Sequence, residues 1–210
     1  LNTVYFKGQW LSPFNAENTK KETFSSVNGK KKVNMMSQKN CNFKYYKDGK
    51  FEGLELMYGD SYVMDILMSS DKNKTVGEVW EKLSVKKQEA VIKKFDKKGF
   101  SDIALLKLPV IDMEYKTDMI DVLRKMGIKD AFNANADFSN IGDVHIRESI
   151  HKTRLVINEN GTESSASTSV VLSKGDNKGK IKFIVDRPFI CCIRNTSTGA
   201  IIFMGEINNL

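Results

Sequence analysis

A chain of 210 residues makes one large domain or two small ones, and with 40% hydrophobic and 10% aromatic residues it can bury a core, which excludes wholesale disorder. No apolar run approaches the ~18 residues of a membrane helix; the longest, Phe189–Ile193, has the length of a buried strand. The net charge of +7 is carried almost wholly by lysine, clustered at Lys30–Lys32, Lys86-Lys87, Lys93-Lys94 and Lys97-Lys98; such a surface suits heparin-like polymers, nucleic acid or acidic partners, or is simply solvated, and no basic motif interleaved with aromatics marks a nucleic-acid module.

Thr3–Trp10 reads as a strand rich in aromatics, turned by Ser12-Pro13. Thr23–Val27 and Lys32–Met36 flank Asn28-Gly29, a strong hairpin signal. Phe43–Tyr46, Phe51–Tyr58 and Tyr62–Met68 read as three further strands of an antiparallel meander. The period then changes. Thr75 caps a predicted helix over Val76–Leu83, and Ser84 caps another over Val85–Phe95. Ile103–Met113 returns to strand character, with Pro109 unsuited to a central ladder position. Thr117–Met126 is amphipathic, with Met119-Ile120, Leu123 and Met126 on one face and Gly127 at a helix stop. Val144–Ile157 is a long strand candidate that includes His145, and Ile181–Val185, Phe189–Ile193 and Ala200–Met204 are short apolar strands, the last two joined by the turn Asn195–Gly199. Cys41, Cys191 and Cys192 form neither a disulfide framework nor a zinc site, and at least one of the adjacent pair is a plain buried thiol. Two histidines and no nucleophile motif argue against a hydrolase triad.

The segment Asn158–Gly179 is too long for an ordinary connection and is composed almost entirely of small side chains from Thr162 to Ser169. As a strand, one face would carry Thr162, Ser164, Ala166, Thr168, Val170 and Leu172, and the other Glu163, Ser165, Ser167, Ser169, Val171 and Ser173. The first face is uncharged, as a strand must be if it slides between two others with one side over a core. The same composition also suits a solvated loop.

Several segments in sequence order resemble the serpin family: Val4-Tyr5-Phe6-Lys7-Gly8-Gln9-Trp10 with Phe14, Thr23-Phe24 through Val33-Asn34-Met35-Met36, Ala136-Asp137-Phe138-Ser139, Ile150-His151-Lys152, Asn158-Glu159-Asn160-Gly161-Thr162-Glu163, Arg187-Pro188-Phe189 and Gly199–Gly205. The resemblance implies an α+β serpin fold of mixed β-sheets with helices and an exposed reactive-centre loop at about 159–180. It implies a single partial domain over residues 1–210, with the early helices and part of the central sheet lying before Leu1. It implies a protease inhibitor rather than an enzyme, without a cofactor: a serine protease cleaves the loop, is acylated, and is trapped as the loop inserts into the sheet. Non-inhibitory members act as carriers, chaperones or storage proteins, and a truncated chain would be inactive; these are the alternatives.

The resemblance also assigns roles. Glu159, Gly161, Thr162, Glu163, Ser164, Ser165, Ala166, Ser167 and Thr168 form the hinge and the leading part of the inserting segment. Counting the family's loop length from Gly161 reaches Gly175, so the reactive bond is Gly175–Asp176, or Lys174–Gly175 for a trypsin-like protease, with Lys178 a third choice. Asn2, Trp10 and His151 match positions that control sheet opening, and Asn2 and His151 are expected to share a hydrogen bond. The partners implied are a trypsin-like serine protease and, through the lysines, a glycosaminoglycan, with no nucleic acid and no membrane. Secretion is the commoner fate in the family, and an intracellular location stays open. Asn73, Asn160 and Asn195 open glycosylation sequons; a glycan at Asn160 would crowd the hinge, so that site is expected to be unused in an inhibitor.

Overall fold

The computed structural model describes residues 1–59, 61–162 and 180–210. The expected reactive bond at Lys174, Gly175 and Asp176 and the hinge positions Glu163 to Thr168 lie outside the described residues. The chain divides into two compact units, Lys7–Ile111 with Val156–Leu210 and Leu1–Phe6 with Asp112–Leu155.

In chain order the strands and helices are β1 (Asn2–Val4), β2 (Gly8–Gln9), β3 (Lys20–Ser26), β4 (Gly29–Lys47), β5 (Phe51–Met57), β6 (Tyr62–Ser69), α1 (Val76–Trp80), α2 (Val85–Ile92), β7 (Phe100–Pro109), β8 (Ile111–Asp118), α3 (Ile120–Lys125), β9 (Ile150–Ile157), β10 (Gly161–Thr162), β11 (Ile181–Ile184), β12 (Phe189–Asn195) and β13 (Ile201–Ile207). The larger unit is built on a sheet that runs β11-β7-β4-β5-β6-β12-β13 among the described residues, with β3 also paired to β4. The Asn28-Gly29 hairpin forms as expected, with Ser26 opposite Gly29 at φ +117.

The two strands expected at Lys32–Met36 and Phe43–Tyr46 are one continuous strand, β4. The polar run Ser37–Asn42 looks like a break in the sequence, yet β7 pairs across it from Met35↔Pro109 to Lys44↔Phe100. Backbone hydrogen bonding to a neighbour carries a strand through residues whose side chains give no strand signal. Pro109 closes β7, where a missing N–H leaves no ladder bond unmade; Val110 then donates to Asn34 O at 2.8 Å and the chain passes into β8.

Strands β5, β6 and β12 are buried nearly end to end. They are buried on both faces, and the charged residues they carry inside, Glu55, Asp65 and Arg194, pair with one another. Val76, Val91, Ile92 and Phe95 from the helical segment cover Tyr46, Phe51, Leu67, Ile190 and Cys192. Thr75 and Glu78 form a reciprocal capping box on α1, whereas Ser84 makes no side-chain cap on α2. Both helices are shorter than expected, ending at Trp80 and Ile92, and Phe95 sits in a following 3-10 turn. Cys41, Cys191 and Cys192 are all buried free thiols, each pushed up to about 12 by burial, so none is a nucleophile at neutral pH.

In the smaller unit β1, β9 and β8 form a sheet in the order β1-β9-β8. Pairs Lys152–Glu114 at 2.8 Å and Arg154–Asp112 at 3.2 Å link β9 to β8. The helix expected from Thr117 begins at Ile120, because Thr117 and Asp118 still belong to β8. Asp118 Oδ1 then accepts from the Ile120 and Ser149 backbone N–H groups. Gly127, at φ +104, follows the helix as a stop. The strand expected from Val144 begins only at Ile150. Residues 144–149 lie outside every described strand, so His145 is not the strand residue the alternation suggested.

Candidate functional site

The chain leaves β9 through a tight turn. Asn158 N donates to Gly161 O at 2.9 Å, Gly161 N returns to Asn158 O at 3.2 Å, and Asn158 Oδ1 accepts from Asn160 N at 3.0 Å. Gly161 takes φ +139, which L side chains rarely adopt. The chain then lies antiparallel to β2, with Gly161 opposite Gln9 and Thr162 opposite Gly8. A Cβ on Gly161 would fall 2.1 Å from Gly8 O, so glycine is required twice, by conformation and by space.

The turn is held from several directions within the larger unit. Trp10 donates from its backbone N to Asn160 O at 2.9 Å and from Nε1 to Asn158 O at 3.0 Å. Phe14 N donates to Glu159 O at 2.9 Å, and the Thr19 hydroxyl donates to Glu159 Oε1 at 2.6 Å. The Tyr58 ring stacks on Trp10, with centroids 4.5 Å apart and planes 15° apart, and its hydroxyl meets Thr162 Oγ1 at 2.8 Å. Burial holds the Tyr58 phenol far above its usual range, so it remains a neutral hydroxyl. Thr162 is only 2% exposed. The sequence reading named Trp10, Glu159, Gly161 and Thr162, and the structure brings these four together. It gave no role in the turn to Tyr58, Thr19 or Phe14, because nothing in a lone tyrosine at a strand end signals a stacking partner 48 residues away in sequence.

In the smaller unit, β1 pairs with β9 in parallel, Asn2 opposite His151. Asn2 Nδ2 lies 3.4 Å from His151 Nδ1, the expected contact at the long end of hydrogen-bond range. Asn2 is exposed and His151 half-buried.

Nothing in this arrangement prepares a nucleophile or a general base. It is a turn held by backbone hydrogen bonds and a buried threonine, leading into the Ser/Thr segment.

The family model described as serpin (serine protease inhibitor) matches residues 1–210. This chain belongs to the serpin family. It is 32% identical over 99% of its length to human glia-derived nexin and 33% identical over 100% to Iripin-2 of Ixodes ricinus, covering 54% and 53% of those proteins. The chain thus spans about half the length of the curated relatives it matches. Its fold superposes on native protease nexin-1 with heparin at a TM-score of 0.81 and 30% identity, and on the thermophilic serpin Tengpin in its native state at 0.82 and 28%. Each comparison covers 99% of this chain, and 55% and 54% of the other. The mixed sheets with few helices are thus serpin architecture. No described helix is long and apolar enough to cross a membrane.

Proposed function

We propose that this serpin chain carries the bait loop, hinge and receiving strands of a suicide inhibitor of a trypsin-like serine protease. The observation that supports this most is the turn at Asn158–Thr162, which leads directly from β9 into a segment of small side chains. A chain that reverses at the end of β9 runs antiparallel to it. Strands β1 and β9 pair in parallel over Asn2–Val4, the less stable arrangement per residue. Parting them gives an inserted strand an antiparallel ladder on each side.

The chemistry precedes the insertion. The protease serine attacks the carbonyl carbon of Lys174, the Lys174–Gly175 bond breaks, and the Gly175 amine leaves with a proton; Gly175–Asp176 is the next choice. Lys174 suits a pocket with an acidic floor. The acyl-enzyme is carried away from water when the cut segment inserts. About ten residues of new ladder, at about 0.5–1.5 kcal/mol net per hydrogen bond, release roughly 5–15 kcal/mol. That is enough to turn a reversible acylation into a trap. Asn2, Trp10 and His151 are proposed to control the parting of the strands. A glycosaminoglycan is proposed as a second partner, in keeping with the lysine excess and with the similarity to native protease nexin-1, whose crystal structure is with heparin. Work outside the cell is proposed with it.

Incubation of the full-length protein with trypsin tests the reading. An SDS-stable complex with the Lys174 acyl bond, located by mass spectrometry, is expected. Clipping at Lys174 with no complex would overturn inhibition in favour of a serpin fold used for carriage or storage.

A further inference from the structure

Strand β4 loses its neighbour along one flank. There it pairs with β3 only as far as Met35, and with β5 only from Lys44. On the opposite flank β7 accompanies it across the whole interval. The turn that follows Phe14 packs against β4, as a single 3-10 turn over Ala16–Asn18. Its cap, Asn15, accepts from Glu17 N at 2.9 Å, which fixes the turn locally rather than to the sheet. A hollow of about 580 Å³ lies between the turn and the sheet, within the larger unit. Small-molecule sites fall in the range of about 300–1,000 Å³.

The lining joins one unmet polar group to an excess of positive charge. Gln38 lines the hollow from β4 and is only 7% exposed. Its Nε2 donates to Ser12 Oγ at 2.9 Å, while its Oε1 has no hydrogen-bond partner among the described residues. A buried polar atom left so is costly, and a ligand that pairs with it recovers the cost. A hydroxyl does this in either orientation of the amide, because it both donates and accepts. Lys20, Lys39 and Lys107 face the same space against one carboxylate, Glu22, which is paired with Lys107. Lys20 and Lys39 are exposed, and no ion pair is recorded for them among the described residues. The lining therefore calls for an anion that also carries a hydroxyl. Pro13 and Leu105 supply an apolar wall for its carbon frame. The lining holds no aromatic ring on which a base could stack, and its single, paired carboxylate does not make a cation site.

We infer that the hollow beside Gln38 is a binding site for a small hydroxycarboxylate, its carboxylates held by Lys20 and Lys39 and its hydroxyl by Gln38. The site stands apart from the bait-loop reading, because binding is measured without a protease. The probe is citrate, titrated into the full-length protein and followed by amide NMR, with tricarballylate, the same three carboxylates without the hydroxyl, as its comparison. Citrate is expected to bind with a Kd on the order of 1 mM, shifting the amides of Ser37, Lys39 and Leu105. It is expected to bind about threefold to tenfold more tightly than tricarballylate. Replacing Lys20 and Lys39 together by glutamine, both exposed, should weaken both ligands at least fivefold, whereas glutamine at Lys30, Lys31 and Lys32 should change either less than twofold. Gln38→Met, close to glutamine in shape, should bring citrate and tricarballylate within twofold of each other. Absence of saturable citrate binding, or shifts confined to other parts of the chain, would overturn the site. Equal affinities of the parent protein for the two acids would overturn the role of the hydroxyl, and equal losses in the two lysine variants would reduce the binding to unlocalised charge and overturn the site as well. Trapping of trypsin is expected to be the same with and without citrate, so failure of either reading leaves the other standing.

Discussion

Gly161 and Tyr58 hold the turn after β9 at the scale of single residues. Alanine at 161 would have to tolerate φ +139 and place its Cβ against the Gly8 carbonyl oxygen, which is backbone and cannot swing aside. Strain of this kind costs about 1–3 kcal/mol and a backbone collision adds to it. Gly161→Ala is therefore expected to lose about 3 kcal/mol in urea unfolding, with the amides of Gly8 and Thr162 exchanging faster as β10 leaves β2. The Tyr58→Phe change tests the buried hydroxyl pair. It keeps the stack on Trp10 but leaves Thr162 Oγ1 without its recorded partner inside the protein, a loss of about 1–3 kcal/mol. An unchanged urea midpoint would mean that Thr162 is not held by Tyr58. The same burial bears on the sequon at Asn160. Its third residue, Thr162, is closed off in the folded chain, so glycan occupancy at Asn160 after expression in a glycosylating host is expected to be far below that at Asn73 or Asn195.

At the scale of elements, the proposed insertion requires the receiving strands and the inserting segment to match in chemistry. The proposed inward face begins at Thr162, which is already buried, and continues with Ser164, Ala166 and Thr168. A charge on that face must be desolvated as the strand enters, at a cost of several kcal/mol. Under the proposed mechanism, Ala166→Arg in the full-length protein is expected to turn inhibition into plain cleavage: trypsin still cuts the proposed reactive bond, but SDS-stable complex falls at least tenfold. The outward Ser165→Arg should trap nearly as well as the parent, and equal loss in both would show that the two faces are not distinct. The same elements explain what the sequence made legible. Hairpin β3–β4 was announced by Asn28-Gly29, and β12 and β13 by apolar runs around Asn195–Gly199, because turn chemistry and dense burial are local signals. Continuity of β4 through Ser37–Asn42 was not, because it depends on β7, some 60 residues later. The late start of β9 was hidden for a related reason. Val144, Ile146 and Ile150 fall on one face like residues of a strand, but Ser149 N is taken by Asp118 and Ile146 N by Ala131 O. For the turn after β9, the residues with a backbone role were readable through Gly161, while Tyr58 and Thr19 act through contacts made only on folding.

A charge cluster in the interior bears on the stability of the whole molecule. Arg194 on β12 is 2% exposed and donates to Asp65 on β6 at 2.6 Å and to Glu55 on β5 at 2.7 Å. Lys44 reaches Glu55 from β4 at 2.9 Å, and Asp96 reaches Arg194 from the turn after α2. Removing one partner from such a network leaves an uncompensated buried charge. Asp65 is the member under most pressure. It is fully buried, its Oδ1 has no hydrogen-bond partner among the described residues, and burial pushes its carboxyl up to about 7 in spite of Arg194. The native state therefore holds this proton more tightly than the unfolded chain, whose aspartate titrates near 3.8. The contribution of Asp65 to stability is then greatest at low pH, declines as pH rises from about 4 to about 7, and is constant above that. Over that window the decline is on the order of a few kcal/mol. Asp65→Asn, which keeps the oxygen facing Arg194 and cannot ionise, removes this slope. Urea unfolding from pH 4.5 to 8, run on parent and variant, should show near-equal stability at the acid end and a growing advantage for the variant towards neutrality. A variant weaker than the parent at pH 8 would instead mean that Asp65 is a carboxylate there and that Arg194 depends on its charge.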